Sequence, residues 1–321
     1  MKLGLQITYF TYPGGPVKIG EDFKRIVQGA EAAGFDSIWV MDHFFQIPSW
    51  GTPDLDMLES YSVLSYAAAV TSKVKLGVLV TGITYRRPGI LVKTATTLDV
   101  LSGGRAYCGI GAAWYEGEHK GLGIPYPPQR ERFEMLEETL QVAHQMWSDE
   151  IGPFEGKHVN MQETLNVPNS IQRPHPPILI GGEGEQRTFR LIARYGDACN
   201  LIIIPNEPEN YMRGVPYAER KYAVLRERCD EIGRPYSDIE KTTLSGTILS
   251  RDGTKPEGAY ESPERASVIE PNAAIDYFAR LAEIGTDHAI VNMGTLHLPG
   301  AFDLWAEQVI PAVNQMVPAG R

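Results

Sequence analysis

Cysteine is scarce in this chain: Cys108, Cys199 and Cys229 are odd in number and far apart. That excludes a disulfide framework and a cysteine metal cluster, and it suits free thiols in a reducing cytoplasm. Positive charge is short as well. Thirty Lys and Arg stand against 40 Asp and Glu, a net charge of -10 with no basic cluster, which argues against a nucleic-acid partner. No apolar run reaches the roughly 18 residues of a membrane span. The first residues, MKLGLQITYF, read as a strand and carry no signal-peptide cleavage pattern. The seven histidines are dispersed, without metal-ligand spacing, so no metal is expected. A G-x-S-x-G elbow and a G-x-x-x-x-G-K-S/T phosphate loop are both missing. Side chains alone therefore supply little reactive chemistry, and a cofactor is expected to carry the hard step.

What is present is organised around TLDVLSGGRAYCGIGAAW, from Thr97 to Trp114. A helix runs into Leu101, Gly103 and Gly104 supply the left-handed backbone of its C-terminus, and a strand from Arg105 to Ile110 follows at once. Gly111, Ala112 and Ala113 then leave the main chain open to a flat ligand. The same alternation runs through the whole chain. Strands are predicted at Lys2–Tyr9, Asp36–Met41, Val74–Val80, Arg105–Ile110, Pro177–Ile180, Ala198–Ile204, Lys241–Leu249 and His288–Met293. Helices separate them, the last spanning Phe302–Val317, and insertions are expected at 115–130 and 148–176. The stretch Arg251–Ala266, charged and poor in apolar residues, is expected to be mobile. Short helix-to-strand turns such as Tyr195-Gly196-Asp197 alternate with long segments after several strands. That asymmetry predicts a (β/α)8 TIM barrel with insertions, one domain over 1–321, with its functional loops at the C-terminal strand ends. An open doubly wound sheet is the competing architecture, because periodicity does not reveal closure.

Two further strand ends carry chemistry. Asp42-His43 closes the second strand, where the pair could orient a ligand, relay a proton or satisfy buried backbone groups. Gly181-Gly182-Glu183-Gly184 leads from the fifth strand towards a helix, and its amides could hold a phosphate or form a plain tight turn. Tyr9, Phe44, Tyr85 and Trp114 add an aromatic group for the same mouth.

The runs AEAAGFDSIWVMDHF, VKLGVLVTGITYRRPG, TLDVLSGGRAYCGIGAAW and ILIGGEGEQRTFRLIARYGDACN, in this order, resemble the bacterial-luciferase-like family of flavin- and F420-dependent oxidoreductases. TLDVLSGGRAYCGIGAAWYEGEH is most similar to the F420-dependent branch. The resemblance implies a barrel holding coenzyme F420, or alternatively FMN, at its C-terminal mouth. It further implies a non-prolyl cis peptide near Leu79-Val80, with Leu79, Val80 and Thr81 supporting the ring. Asp42 and His43 would contact the ring and serve catalysis, Gly111, Ala112 and Ala113 would line it, and Gly181, Gly182, Glu183 and Gly184 would hold the phosphate. Sugar-phosphate-oxidising relatives place a catalytic Glu where this chain has Trp114, which leaves His43 as the proton donor and argues against that substrate. The expected activity is hydride transfer between reduced F420 and a small organic substrate by a cytoplasmic homodimer. The rival readings are an FMN-dependent monooxygenase, a cofactor-binding protein without turnover and a non-redox sugar-phosphate barrel.

Overall fold

The computed structural model describes residues 1–148, 150–204, 214–260 and 266–320. Its elements follow in the order β1 (Lys2–Ile7), α1 (Pro16–Ala33), β2 (Ser37–Val40), α2 (Ser60–Val70), β3 (Lys75–Val78), β4 (Thr81–Gly82), α3 (Pro88–Ser102) and β5 (Ala106–Gly111). Then come α4 (Glu116–Leu122), α5 (Gln129–Trp147), β6 (Phe154–Glu155), β7 (Asn160–Met161), β8 (Ile178–Gly181), α6 (Thr188–Tyr195), β9 (Ala198–Ile202) and α7 (Val215–Asp230). The chain finishes with β10 (Glu240–Leu249), β11 (Ala266–Ile269), α8 (Pro271–Glu283), β12 (His288–Asn292) and α9 (Ile310–Val313).

Eight strands pair in parallel in the order β1-β2-β3-β5-β8-β9-β10-β12, and β12 pairs back to β1. The ring is closed, so the open sheet is excluded and the barrel stands. Its strands are buried on both faces, as in β2 and β5, so they have no solvent side to alternate towards. Outside the ring, Ile19, Phe23, Ile26, Val27 and Ala30 of α1 recur at helical spacing and are buried. Gly34 ends that helix in the left-handed conformation, φ 99°, donating to the carbonyls of Ala30 and Glu31. Inside the ring, Trp39 packs with Leu179, Leu244 and Ile290. A Cβ on Gly77 would lie 2.3 Å from the Trp39 ring, so glycine there is what lets an indole fill the barrel.

Arg105 ties the helices to the sheet. It is 8% exposed. Its guanidinium donates to the carbonyls of Ser102 (2.8 Å), Val74 (2.9 Å), Ala68 (2.9 Å) and Thr71 (3.2 Å), and to Thr71 Oγ1 (3.0 Å). It thus caps the C-termini of both α2 and α3, where backbone carbonyls lack helical donors. Arg105→Met keeps the length and removes every donor. We expect it to cost about 3–5 kcal/mol in chaotrope unfolding, given the strength of hydrogen bonds from charged groups. A loss under about 1 kcal/mol would show that water replaces those donors.

Three expectations need correction. The segment 115–130 contains a helix, α4, whose Glu118 and His119 are buried. The stretch expected to be mobile ends in β11, whose Ala266 pairs with Gly246 of β10. Just before it, Tyr260 donates from its backbone to Gly294 and from its hydroxyl to the Trp50 carbonyl, while residues 261–265 lie outside the described residues. The last helix is shorter than expected and is π-helical over Trp305–Val309. Pro311 has no N–H for the preceding turn, which breaks the regular ladder there.

Candidate active site

The C-terminal end of the barrel opens into a cavity of about 440 Å3. All eight ring strands reach it, through Gln6, Met41, Leu79, Gly111, Gly181, Ile202, Leu244 and Asn292, most of them at or just beyond a strand's C-terminal end and Leu244 midway along the long β10. The peptide bond between Leu79 and Val80 is cis, in the position the family resemblance implies. Gln6 Nε2 donates to the Leu79 carbonyl at 3.2 Å. Val80 fills the space between Gly111 and Gly181, where a Cβ on either glycine would come within 2.9 Å or 2.7 Å of it. The floor is therefore apolar and built from main chain, which a planar ring can approach closely.

Ala113 takes φ 60°, the left-handed region, and the chain turns sharply there so that Trp114 stands at the rim, 57% exposed. The Trp114 indole meets the His43 imidazole edge-on, centroids 5.5 Å apart, and stacks on Tyr115. Of the expected aromatic group, Tyr85 and Trp114 line the cavity. Tyr9 is wholly buried and stacks on Tyr260 at 4.6 Å, and Phe44 packs against Tyr85.

Asp42 lines the cavity, but its carboxylate is taken. Arg86 grips both oxygens, at 2.7 and 3.0 Å, and Ser60 Oγ donates to one of them at 2.6 Å. Arg86 in turn reaches Glu59 at 2.5 Å. A carboxylate bound bidentately by guanidinium is a poor proton carrier and a good anchor. It fixes the end of β2 against the loop that follows β4.

His43 is held differently. Its Nδ1 lies 3.0 Å from Oε2 of Glu118, a side chain with no exposed surface. The hydroxyl of Tyr85 donates to the same oxygen, and the backbone N–H groups of Phe44 and Phe45 donate to Oε1, the latter at 2.8 Å. Burial pushes the Glu118 carboxyl up, but the bonds from His43, Tyr85 and Phe45 outweigh it and hold it below the ordinary carboxylate value. An ionised carboxylate only accepts, so Nδ1 carries a proton and Nε2 is the nitrogen left for a ligand. Tyr85 is pushed well above its ordinary value by burial and by its bond to that carboxylate. Sequence reasoning missed Glu118. The signal was there, four residues after Trp114 in WYEGEH, but its partners lie more than 30 residues away.

Asp42, His43, Leu79, Val80, Thr81, Gly111, Ala112, Ala113, Gly181, Gly182 and Glu183 all line this one cavity. Gly184 does not. Its carbonyl accepts from Phe189 N–H at 3.1 Å and belongs to the turn into α6, which begins only at Thr188. Thr188 lines the cavity in its place. The Glu183 carboxylate is tied to Ile202 N–H (2.7 Å) and the Tyr217 hydroxyl (2.9 Å), which neutralises part of its repulsion for an anion at this turn. The walls also hold Asn292, 4% exposed, whose Oδ1 has no hydrogen-bond partner among the described residues. A buried acceptor left open in an apolar cavity fits a ring with a polar edge. The described residues hold no cluster of metal-ligating side chains, and no described helix is long and apolar enough to cross a membrane.

The family profile described as luciferase-like monooxygenase matches residues 1–285. The chain is 32% identical over 218 residues to the F420-dependent glucose-6-phosphate dehydrogenase of Kineococcus radiotolerans, covering 66% of this chain and 59% of that protein. This chain thus spans less than two thirds of that relative's length. The protein of the same name from Nakamurella multipartita is 31% identical over 355 residues, covering 97% of this chain and 98% of its own. Among solved structures, an F420-dependent secondary alcohol dehydrogenase in complex with an F420-acetone adduct superposes with a TM-score of 0.78, over 97% of this chain and 98% of that one. At 20% identity that is a likeness of fold. With nearly nine tenths of its length matched by the profile, and the barrel and mouth just described, the chain belongs to the luciferase-like monooxygenase family.

Proposed function

We propose that this protein is an F420-dependent oxidoreductase that moves a hydride between the reduced deazaflavin and a small, uncharged organic substrate. The observation that carries the reading is the similarity along 97% of the chain to an F420-dependent dehydrogenase. Leu79, Val80, Thr81 and the Gly111–Ala113 segment would hold the ring, and Gly181–Glu183 with Thr188 the phosphate. When bound, F420 supplies a carbon-centred hydride donor, which favours two-electron transfer and suppresses reaction with oxygen. The chain's own share is positional and acid–base. A carbonyl that gains hydride needs one proton at oxygen, and His43, protonated on both nitrogens, would give it from Nε2 and keep its Nδ1–H on Glu118. Asp42 acts as an anchor for its neighbour rather than a second acid.

The substrate is proposed to be uncharged on two grounds. Met41, Ile47, Trp50, Trp114, Phe133 and Leu244 give the cavity apolar walls. Arg132, which also lines it, spends its guanidinium on the carbonyls of Ala112 (3.0 Å) and Pro127 (2.7 Å) and on the face of Tyr126. The glucose 6-phosphate named for the relatives would find little to pair with there.

An FMN-dependent monooxygenase is the second reading, favoured by the description of the matching family. Fluorescence titration decides between them. F420 is expected to bind at least about tenfold tighter than FMN, equivalent to about 1.4 kcal/mol. Tighter FMN binding, or a yellow protein from a host lacking F420, would overturn the proposal. Homodimer formation belongs to the same proposal, supported by the apolar Ile90, Leu165 and Val167 exposed around one groove, as does cytoplasmic placement.

A further inference from the structure

Beside the mouth, α5, α6 and the end of α7 enclose a surface groove of about 590 Å3. Five arginines line it against three glutamates, in a chain whose net charge is -10. The glutamates are already matched: Arg130 pairs with Glu134 at 3.1 Å, Arg194 with Glu137 at 3.1 Å, and Arg228 closely with Glu231. Arg187 and Arg190 have no carboxylate partner among the described residues, and the Arg187 guanidinium lies 5.6 Å from the Phe133 ring centre. Phe133 lines both this groove and the mouth cavity, and Arg187 immediately precedes Thr188 of the cavity wall. The groove thus shares a wall residue with the mouth, and Arg187 directly adjoins the end of the turn proposed to hold the phosphate, with Arg190 lining the groove beyond it.

We propose that this groove binds the polyanionic tail of the cofactor beyond its phosphate, with Arg187 and Arg190 pairing with tail carboxylates. The inference rests on the F420 reading. FMN ends at its phosphate and has nothing to place in the groove, whereas F420 continues through a lactyl group into linked glutamates. Guanidinium matches carboxylate geometry in two parallel hydrogen bonds, which makes arginine suited to such a chain of acids. Both arginines are exposed, so each contact is individually modest and screened by salt.

The test is fluorescence titration of the full chain with two probes: F420 carrying several glutamates, and its precursor that ends at the lactyl phosphodiester. Wild type is expected to bind the glutamylated form more tightly. The double variant Arg187→Ala/Arg190→Ala should lose about five- to tenfold affinity for that form and under about twofold for the precursor, with the difference shrinking at high salt. If the double variant binds both forms as wild type does, or weakens both equally, the tail lies elsewhere and the F420 reading survives. If wild type binds neither form, the cofactor reading falls and takes this one with it. Both positions are exposed, so the variant is expected to keep the wild-type unfolding midpoint, and that measurement separates lost binding from lost fold.

Discussion

Gly109→Ala is expected to destabilise the protein by about 3 kcal/mol or more, at the upper end of what overpacking a core costs. A Cβ at this position would lie 1.8 Å from the carbonyl oxygen of Val78, which is backbone and has no rotamer to escape into. Gly109 sits in β5 opposite the point where β3 ends and the cis Leu79-Val80 peptide begins. The ladder there runs from Leu76–Ala106 and Gly77–Tyr107 to Thr81–Ile110, and the residues between bow away from the register. Alanine would push that bow into the cavity through Val80. Cofactor binding should therefore weaken along with stability, by about tenfold on the same 1.4 kcal/mol scale. Gly111→Ala is the control. Its Cβ would come close only to Val80 Cγ2, at 2.9 Å, with the Gly181 carbonyl at an ordinary 3.6 Å, so a loss of about 1 kcal/mol is expected. Chaotrope unfolding of both variants checks this. Gly109→Ala within about 1 kcal/mol of wild type would mean that β3 and β5 do not approach as described.

The second large effect is at Glu118. Glu118→Gln keeps the shape, and its remaining oxygen can still accept from Phe44 and Phe45. Its new amide donor faces His43 Nδ1 and the Tyr85 hydroxyl, which both donate in the native arrangement. The amide offers His43 a donor where the carboxylate accepted, so a ring protonated on both nitrogens loses its anchor and must turn away. Turnover should fall about 10²- to 10³-fold, within the range of general acid–base contributions, while F420 affinity stays within about threefold. Glu118→Ala goes further. It leaves two backbone N–H groups and a phenol without partners in a buried place, at a cost of about 3 kcal/mol of stability. The pH dependence has a definite sign. Glu118 titrates below its ordinary value, so its grip on His43 is fully present above the ordinary carboxylate range and is lost as pH falls through the lowered value. Wild type should accordingly lose activity reversibly as pH falls below the ordinary carboxylate range, and Glu118→Gln should lack that step. Wild-type turnover in Glu118→Gln would show that His43 is not oriented through this carboxylate.

The residues split sharply between what local order reveals and what it does not. Gly34 and Gly103 could be read as helix ends because a left-handed residue after an amphipathic run is a local event. The strand ends at Asp42-His43, Gly111 and Gly181 could be read because each sits at a change of periodicity, and a barrel sends every such change to one rim. The cis bond at Leu79-Val80 could be read only through resemblance to a family. Beyond these, single-strand patterns were blind. Asp42 and His43 are adjacent in the chain, yet one meets Arg86 and the other Glu118, and neither partner is within 40 residues of it. α4 was hidden because GEHKG, with two glycines in a short polar run, has little helical propensity of its own. Its buried Glu118 and His119 bind the loops after β2 and β4, and those contacts make it a helix.

The sequence alone determined the alternation of eight strands with helices, the glycine-rich exits and the shortage of nucleophiles, since each is written in neighbouring residues. Closure of the ring, the different fates of Asp42 and His43, and the meeting of Arg187 with the mouth through Phe133 were decided by tertiary structure. The reason is physical: hydrogen bonds and ion pairs are set by distance in space, and here they join segments that the chain itself keeps far apart.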